Sequence, residues 1–141
     1  MCWQATQTYP CDVLTPRHAR RFVAQQFAAA FGNSTSLNEV RDLAEIVTSE
    51  LVTNAYNARG NRTRLTLAFH RSTMRVAVQD DAPGVPRRRH AGPQDESGRG
   101  LQIVATLARD WGVDDVREGK QVWAELALPT AATASLTCRR Y

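Results

Sequence analysis

Glu50 and Asn54 are the first residues whose types and spacing point to chemistry. They lie four positions apart in the segment SELVTNAYNAR, residues 49–59. In a helix this spacing puts both side chains on one face, and Asn54 falls within the apolar stripe. Burying an amide and a carboxylate without partners is costly. The plainer interpretation is that loop backbone satisfies both polar groups, or that Glu50 points to water. The functional one is a hard cation on the Asn54 oxygen with Glu50 as a nearby general base.

Two later segments have features of a nucleotide site. The run VAVQDDAPGVP predicts a strand ending at Asp80 and Asp81, where a carboxylate can accept a hydrogen bond from an amino group such as the exocyclic amine of adenine. In ESGRGLQIV, Gly98 and Gly100 precede a predicted helix, whose free N–H groups and positive end suit phosphate oxygens. Each segment also has a plainer interpretation, an Asp-Pro-Gly turn and a flexible helix entry.

The elements that position these residues follow from hydrophobic periodicity and capping signals. A weak alternation predicts an edge strand over residues 3–9. A first helix is expected from Thr15 as N-cap to Gly32. A second is expected from Ser36, with Glu39 at capping-box spacing, to Gly60.

The second half of the chain predicts a hairpin, a long irregular segment and a closing helix and hairpin. Clear alternation over 62–70 and 73–80 indicates two paired strands. The proline- and glycine-rich stretch 81–100 should be neither helix nor strand, and its length is typical of a functional lid or a disordered segment. A third helix is expected over 101–112, then two strands around a turn at Glu118 and Gly119.

This element order predicts an α+β fold, a two-layer α/β sandwich with helices on one face of a mixed, mostly antiparallel sheet. One domain over residues 1–141 is expected, with its core at about 15–129 and a loose tail at 130–141.

Composition and charge restrict the class of protein. No apolar run reaches the length of a membrane span, and no secretory signal is seen, so a cytoplasmic location without membrane contact is expected. The net charge of +4 permits nucleic-acid binding. However, no aromatic residues interleave the basic cluster at residues 87–90, so a solvated loop or one facing a phosphate-bearing small ligand is favoured over a DNA site. Cys2, Cys11 and Cys138 are expected to be free thiols, the alternatives being a Cys2–Cys11 disulfide or Cys11 near Cys138.

Taken in order, the three chemical segments resemble the histidine-kinase-type ATPase domain, known as the GHKL or Bergerat fold. SELVTNA is similar to its N box, QDDAPGVP to its first glycine box, and ESGRGLQIVATLARDWGV with GKQVWAELALP to its second glycine box and closing strands. The likeness covers about residues 15–129. The run ESGRGL with WGV and the closing strands resembles most the small stand-alone anti-sigma-factor serine/threonine kinases of actinobacteria.

The resemblance implies a role for each matching residue. Glu50 would be the catalytic base, Asn54 would bind Mg²⁺ that bridges the ATP phosphates, and Asp80 would accept from the adenine amine. Backbone approach to the nucleotide and phosphates would involve Gly84, Gly98, Arg99 and Gly100, with an ATP lid at about 85–97. The implied ATP-binding set also includes Asn57, Ala82, Val85 and Leu101.

The resemblance also implies partners: a sigma factor, an anti-sigma-factor antagonist whose serine or threonine is phosphorylated, and a second copy in a homodimer. An alternative is a non-catalytic module that sequesters a sigma factor or another regulator with ATP or ADP as a structural or switching ligand. Five positions depart from the family pattern, namely Ala82 for glycine, Asn57 with Ala58 in place of a basic residue or histidine, Gln102 for glycine and Gln121 for threonine. They put nucleotide affinity in question more than the fold.

Overall fold

Three α-helices, one 3₁₀ turn and five strands make up the part of the fold that the structure describes. The structure is a computed structural model that describes residues 2–82, 96–130, 133 and 136, without the side chains of 96–99. In chain order the elements are β1 (Trp3–Pro10), α1 (Thr15–Phe31), a 3₁₀ turn (Thr35–Leu37), α2 (Asn38–Asn57), β2 (Arg62–Phe69), β3 (Thr73–Asp80), α3 (Glu96–Leu107), β4 (Asp110–Val116) and β5 (Gly119–Ala127).

The strands form one sheet in the order β1-β2-β3-β5-β4. Every pairing among the described strands is antiparallel. The predicted two-layer α+β sandwich is therefore confirmed, and the sheet that was expected to be mixed is fully antiparallel among these strands. β1 is an edge strand, as expected, and β2 and β3 form the predicted hairpin. The helices pack on one another and on the central strands.

The core lies between the helices and one face of the sheet. Alternate residues of β2, such as Leu65, Leu67 and Phe69, are fully buried. Phe69 meets Phe27 of α1 edge to face, with ring centroids 5.0 Å apart. The period of two in the strands and the helical stripe of α2 therefore converge on one apolar layer.

The predicted helix N-caps are wrong. Thr15 is already helical, and its hydroxyl donates to the carbonyl of Pro10 at 2.8 Å. The Ser36 hydroxyl pairs with that of Ser34 at 2.7 Å because a 3₁₀ turn precedes α2. Gly32 does end α1, with φ of 69°. At the end of α2 it is Arg59, not Gly60, that adopts positive φ, at 60°.

The third helix is displaced from its predicted position. It was expected over 101–112, yet α3 runs over Glu96–Leu107 and β4 begins at Asp110. The first five residues of α3 thus fall in the stretch expected to be irregular. Pairing along β5, such as Trp111 opposite Ala124, overrides the local helical pattern of ARDWG because the ladder satisfies the backbone of 110–116.

The ends of the chain differ from expectation at several residues. Thr133 and Leu136, within the tail expected to be loose, are buried, and the Thr133 hydroxyl donates to the carbonyl of Arg71. Cys2 is disulfide-bonded and Cys11 is a free thiol, so Cys2 is not the free thiol that was expected and no Cys2–Cys11 bridge forms. Among the described helices, none is long and apolar enough to cross a membrane.

Gly119, at the start of β5, is a position where any side chain should damage the fold. A Cβ built there overlaps the carbonyl oxygen of Asp80, which is backbone and cannot move aside cheaply. We expect Gly119→Ala to lower the free energy of unfolding by about 2 kcal/mol or more. Urea denaturation measures this. Gly32→Ala is the matched control, since Gly32 has positive φ but open space and should cost only about 1 kcal/mol; equal losses would contradict the overlap.

Candidate functional site

The second half of α2 places Glu50 and Asn54 as the periodicity predicted. Asn54 is 9% exposed, and its side-chain amide forms no hydrogen bond to any residue that the structure describes. Glu50, one turn earlier, is half-buried and forms no ion pair within the same residues. Among the described residues the fully buried side-chain polar atom without a partner is Thr48 Oγ1, so the Asn54 amide keeps access to solvent. An accessible amide that no protein group occupies can bond to a ligand.

Asp80 ends β3 on the sheet face that the helices cover. Its side chain is 3% exposed, its Oδ1 accepts from the N–H of Ala82 at 3.0 Å, and its Oδ2 lies 3.9 Å from Nζ of Lys120. Burial raises the pKa of the Asp80 carboxyl, while the Ala82 N–H and the Lys120 ammonium oppose that shift. The carboxylate is thus held in place with part of its accepting capacity unused.

A chain of contacts brings the end of α2 to the end of β3. Sγ of Cys11 donates weakly to the carbonyl of Tyr56 at 3.8 Å, and the N–H of Cys11 donates to Asn61 at 3.0 Å. The N–H groups of Asn61 and Arg62 donate to Oδ1 of Asp81 at 2.6 and 3.0 Å. These hydrogen bonds lower the pKa of Asp81, so this carboxylate fixes the loop beside Asp80.

The start of α3 completes the site. A Cβ built on Gly100, which is buried, would lie 2.8 Å from Oε2 of Glu50, so the helix approaches the carboxylate as closely as a glycine allows. Gly98 and Arg99 are in the first turn of the same helix, where backbone N–H groups have no intrahelical acceptor. Leu101 follows and is half-buried against the core. The structure therefore places the second glycine box beside Glu50.

Replacing Gly100 with alanine should separate catalysis from folding. The new methyl group displaces the Glu50 carboxylate, which is the far end of a flexible side chain, so the thermal midpoint should change little. A displacement of about 1 Å can reduce turnover by about 100-fold. Steady-state ATP turnover and a thermal melt measure the two effects. Ala105→Gly, at an exposed position of α3, is the control for altered helix propensity; a Gly100→Ala protein with normal turnover would contradict the contact.

The remaining predicted site residues differ in how far the structure describes them. Ala82 stands in place of the family's glycine, and its φ is not positive, since among the described non-glycine residues only Arg59 has positive φ. Alanine is therefore compatible with the backbone there. Asn57 is exposed on the last turn of α2. Gly84, Val85 and the basic cluster at 87–90 lie outside the described residues.

A resident metal centre is absent from the part of the chain that is described, since no three His, Cys, Asp or Glu side chains there could hold an ion together. Mg²⁺ in nucleotide sites needs only one or two protein oxygens, because phosphates and waters supply the rest. The unpartnered amide oxygen of Asn54 fits that requirement, and Glu50 lies one turn away. The donor set thus suits an ion that arrives with a nucleotide.

Sequence reasoning missed Lys120 and Thr63 as parts of this site and named Asp81 only as part of the strand end. Lys120 and Thr63 are the cross-strand neighbours of Asp80 in β5 and β2, and Thr63 is buried. Their proximity depends on strand register, which one sequence does not reveal. The signal for Asp81 was present in the Asp80-Asp81 pair at a strand end, but the loop N–H groups that donate to its carboxylate lie about twenty positions earlier.

Comparison with known families gives one match. The model of the histidine kinase-like ATPase domain matches residues 13–126. No curated protein sequence matches the chain. The matched span runs from just before α1 into β5 and includes Glu50, Asn54, Asp80 and Gly100.

Proposed function

The chain belongs to the histidine kinase-like ATPase domain family, and from that premise we propose that it is an anti-sigma-factor kinase. It binds ATP and transfers the terminal phosphoryl group to a serine or threonine of an anti-sigma-factor antagonist. The same protein holds a sigma factor when the antagonist is phosphorylated. The proposal is supported by three observations: Glu50 lies against Gly100 of α3, Asn54 follows one turn later on α2 and is nearly buried, and Asp80 is buried at the end of β3.

Nucleotide recognition in this proposal uses the Asp80 carboxylate and the α3 N-terminus. Asp80 accepts a hydrogen bond from the adenine amine, and Lys120 lies beside it as a donor. The free N–H groups of the first turn of α3 and the positive helix end bind the phosphates. Asn54 would hold Mg²⁺ through its amide oxygen, and the ion would supply neutralisation of phosphate charge.

Phosphoryl transfer requires a base close to the phosphates. Glu50 accepts the proton of the partner's hydroxyl while that oxygen forms the bond to the γ-phosphorus and the bond to the β,γ-bridging oxygen breaks, so that ADP leaves. Positioning accounts for most of the effect in such reactions.

The observation that carries the proposal is the contact between Gly100 and Glu50. It sets the proposed base against the helix whose N-terminus would bind the phosphates. The same contact places the Glu50 carboxylate close to the positive end of α3, which would also attract phosphate oxygens.

Transfer of labelled γ-phosphate tests the proposal. The protein is incubated with Mg-ATP and candidate antagonist proteins, and label on the antagonist is quantified by phosphopeptide mapping. We expect label on a serine or threonine with the native protein and none with Glu50→Ala. Failure to label any candidate, or equal labelling by Glu50→Ala, would overturn the kinase proposal.

One feature favours a second candidate, a sequestering module that uses ATP or ADP as a ligand without transfer. The α2 C-terminus carries exposed, uncharged Asn57 and half-buried Ala58, so a cationic phosphate contact is missing there. Calorimetric titration with ATP and ADP, with and without Mg²⁺, separates the two functions. Equal affinity for both nucleotides with no turnover would support the module.

A further inference from the structure

Lys120 is the only lysine in the chain, in which every other basic side chain apart from the three histidines is an arginine. It is the second residue of β5 and stands opposite Asp80 in the β3–β5 register. Val122 and Ala124 follow at intervals of two and are buried in the core, so the Lys120 side chain lies on the sheet face that the helices cover. The one lysine is therefore on the side of the sheet that carries the candidate site.

The Lys120 ammonium lies beside Asp80 although a second carboxylate stands within the same sheet. The Lys120 side chain is 25% exposed, and its Nζ lies 3.9 Å from Oδ2 of Asp80. Asp115, exposed on β4, stands directly opposite Lys120 in the β4–β5 register, yet no ion pair joins these two in the part of the chain that the structure describes. Because burying most of an ammonium is costly when an exposed carboxylate is at hand, this orientation indicates a role inside the site.

The separation of Lys120 and Asp80 leaves both groups able to bond to a ligand. A distance of 3.9 Å is too long for a hydrogen bond, and Nζ donates to no residue that the structure describes. Oδ1 of Asp80 accepts from the N–H of Ala82, but a carboxylate has about four lone-pair positions and can accept further hydrogen bonds. A donor and an acceptor thus lie side by side at the end of β3.

We propose that Lys120 determines base specificity by donating a hydrogen bond to N1 of adenine while Asp80 accepts from the exocyclic amine. This inference rests on the nucleotide binding of the proposed function and does not depend on phosphoryl transfer. The amine and N1 are neighbours on the Watson–Crick edge of adenine, so that edge presents one donor and one acceptor to the pair. Guanine in the same orientation presents a carbonyl oxygen to Asp80 and an N–H group to Lys120, and both contacts are mismatched.

The choice of lysine at position 120 agrees with this role. A guanidinium is a planar fork that pairs with a carboxylate through two parallel hydrogen bonds, so an arginine there would occupy Asp80 and leave neither group for the base. An ammonium is a compact donor that can bond to one ring nitrogen while its charge stays near the carboxylate. A chain that otherwise uses arginine therefore has its single lysine where a point donor is needed.

Competition titrations with ATP and 1-deaza-ATP, in which a C–H group replaces N1, test the contact. We expect the native protein to bind 1-deaza-ATP about 10- to 100-fold more weakly than ATP, since a hydrogen bond from a charged group is lost. Lys120→Met should bind the two nucleotides with similar affinity, at or below the native affinity for 1-deaza-ATP. Arg117→Met removes an exposed charge from the turn before β5 and is the matched control, which should bind both nucleotides as the native protein does.

Lys120→Arg separates contact with the base from simple neutralisation of Asp80. It keeps the positive charge, yet we expect it to bind ATP at least about tenfold more weakly, because the guanidinium competes for the carboxylate. Native affinity in Lys120→Arg, or a native protein that binds ATP and 1-deaza-ATP equally well, would overturn the role of Lys120 and leave ATP binding by the chain intact. A native protein that binds neither nucleotide would overturn the proposed function as well.

A measurement on the native protein makes the test independent of how the variants fold. Because Lys120 is the only lysine, selective labelling of lysine with ¹³C at Cε gives one resonance to follow by NMR. Saturating ATP should shift this resonance, and saturating 1-deaza-ATP should shift it markedly less, since only ATP supplies an acceptor for Nζ. Equal shifts with the two nucleotides, or no shift with ATP, would overturn the proposal.

Discussion

Replacing Glu50 with glutamine is expected to abolish most phosphoryl transfer while leaving ATP binding nearly intact. The amide keeps the size of the side chain and its place against Gly100 but cannot accept the proton of the attacking hydroxyl. Loss of a general base typically costs about 100- to 10,000-fold in rate. Single-turnover transfer from γ-labelled ATP measures the rate, and calorimetry measures the affinity.

Glu45→Gln provides the control for this prediction. Glu45 is a half-buried glutamate on the same helix, one turn and a half before Glu50, and has no part in the proposed reaction. The control should transfer at the native rate. An equal loss of transfer rate in both variants would mean that neutralising any glutamate of α2 impairs the protein, whatever its place in the site. An unchanged rate in Glu50→Gln would show that Glu50 is not the general base.

Replacing Asp80 with asparagine is expected to have the largest effect on nucleotide affinity and base selectivity. The buried carboxylate accepts from the adenine amine in the proposed complex, and hydrogen bonds to a charged group contribute about 1.5–3 kcal/mol, or about 10- to 100-fold in affinity. The native protein should prefer ATP over inosine triphosphate, which carries an oxygen in place of the amine. The variant should lose most of that preference.

Competition titrations with a fluorescent ATP analogue measure both affinities. Asp114→Asn, at an exposed position of β4, is the matched control and should bind ATP normally. If the native protein bound inosine triphosphate as tightly as ATP, Asp80 would not be the acceptor for the adenine amine.

The ionisation of Asp80 should also make protein stability and ATP affinity depend on pH. Because burial raises the pKa of Asp80, its proton is held more tightly in the folded than in the unfolded protein. Its contribution to stability is therefore largest at low pH and is lost as pH rises through the folded pKa. Nucleotide binding needs the ionised form and changes in the opposite direction. Affinity for ATP should fall on acidification at a pH above the ordinary aspartate range, and this step should be missing in Asp80→Asn.

Local periodicity was sufficient to predict much of the fold and the centre of the site. The alternation in β2 and β3 is strong because these strands are buried on one face, and the short link between them left a hairpin as the simplest pairing. Glu50 and Asn54 were found because a polar residue inside a helical stripe breaks a regular pattern. The buried, unpartnered amide of Asn54 matches that expectation.

Features that depend on long-range pairing could not be predicted. The position of Lys120 beside Asp80 follows from the β3–β5 register, which joins segments some forty residues apart. The start of α3 was misplaced because two glycines in ESGRG argue against a helix locally, whereas packing against α2 at Gly100 favours it. Thr15 and Ser36 failed as caps because nearby backbone and hydroxyl acceptors compete for their side chains.

Calorimetric titration of ATP into the native protein in the presence of Mg²⁺ tests the central claim most directly. We expect saturable binding of one nucleotide per chain that weakens when Mg²⁺ is chelated, weakens in Asn54→Ala and is largely lost in Asp80→Asn. Absence of ATP binding, or binding that neither Asn54→Ala nor Asp80→Asn alters, would contradict the assignment of this site.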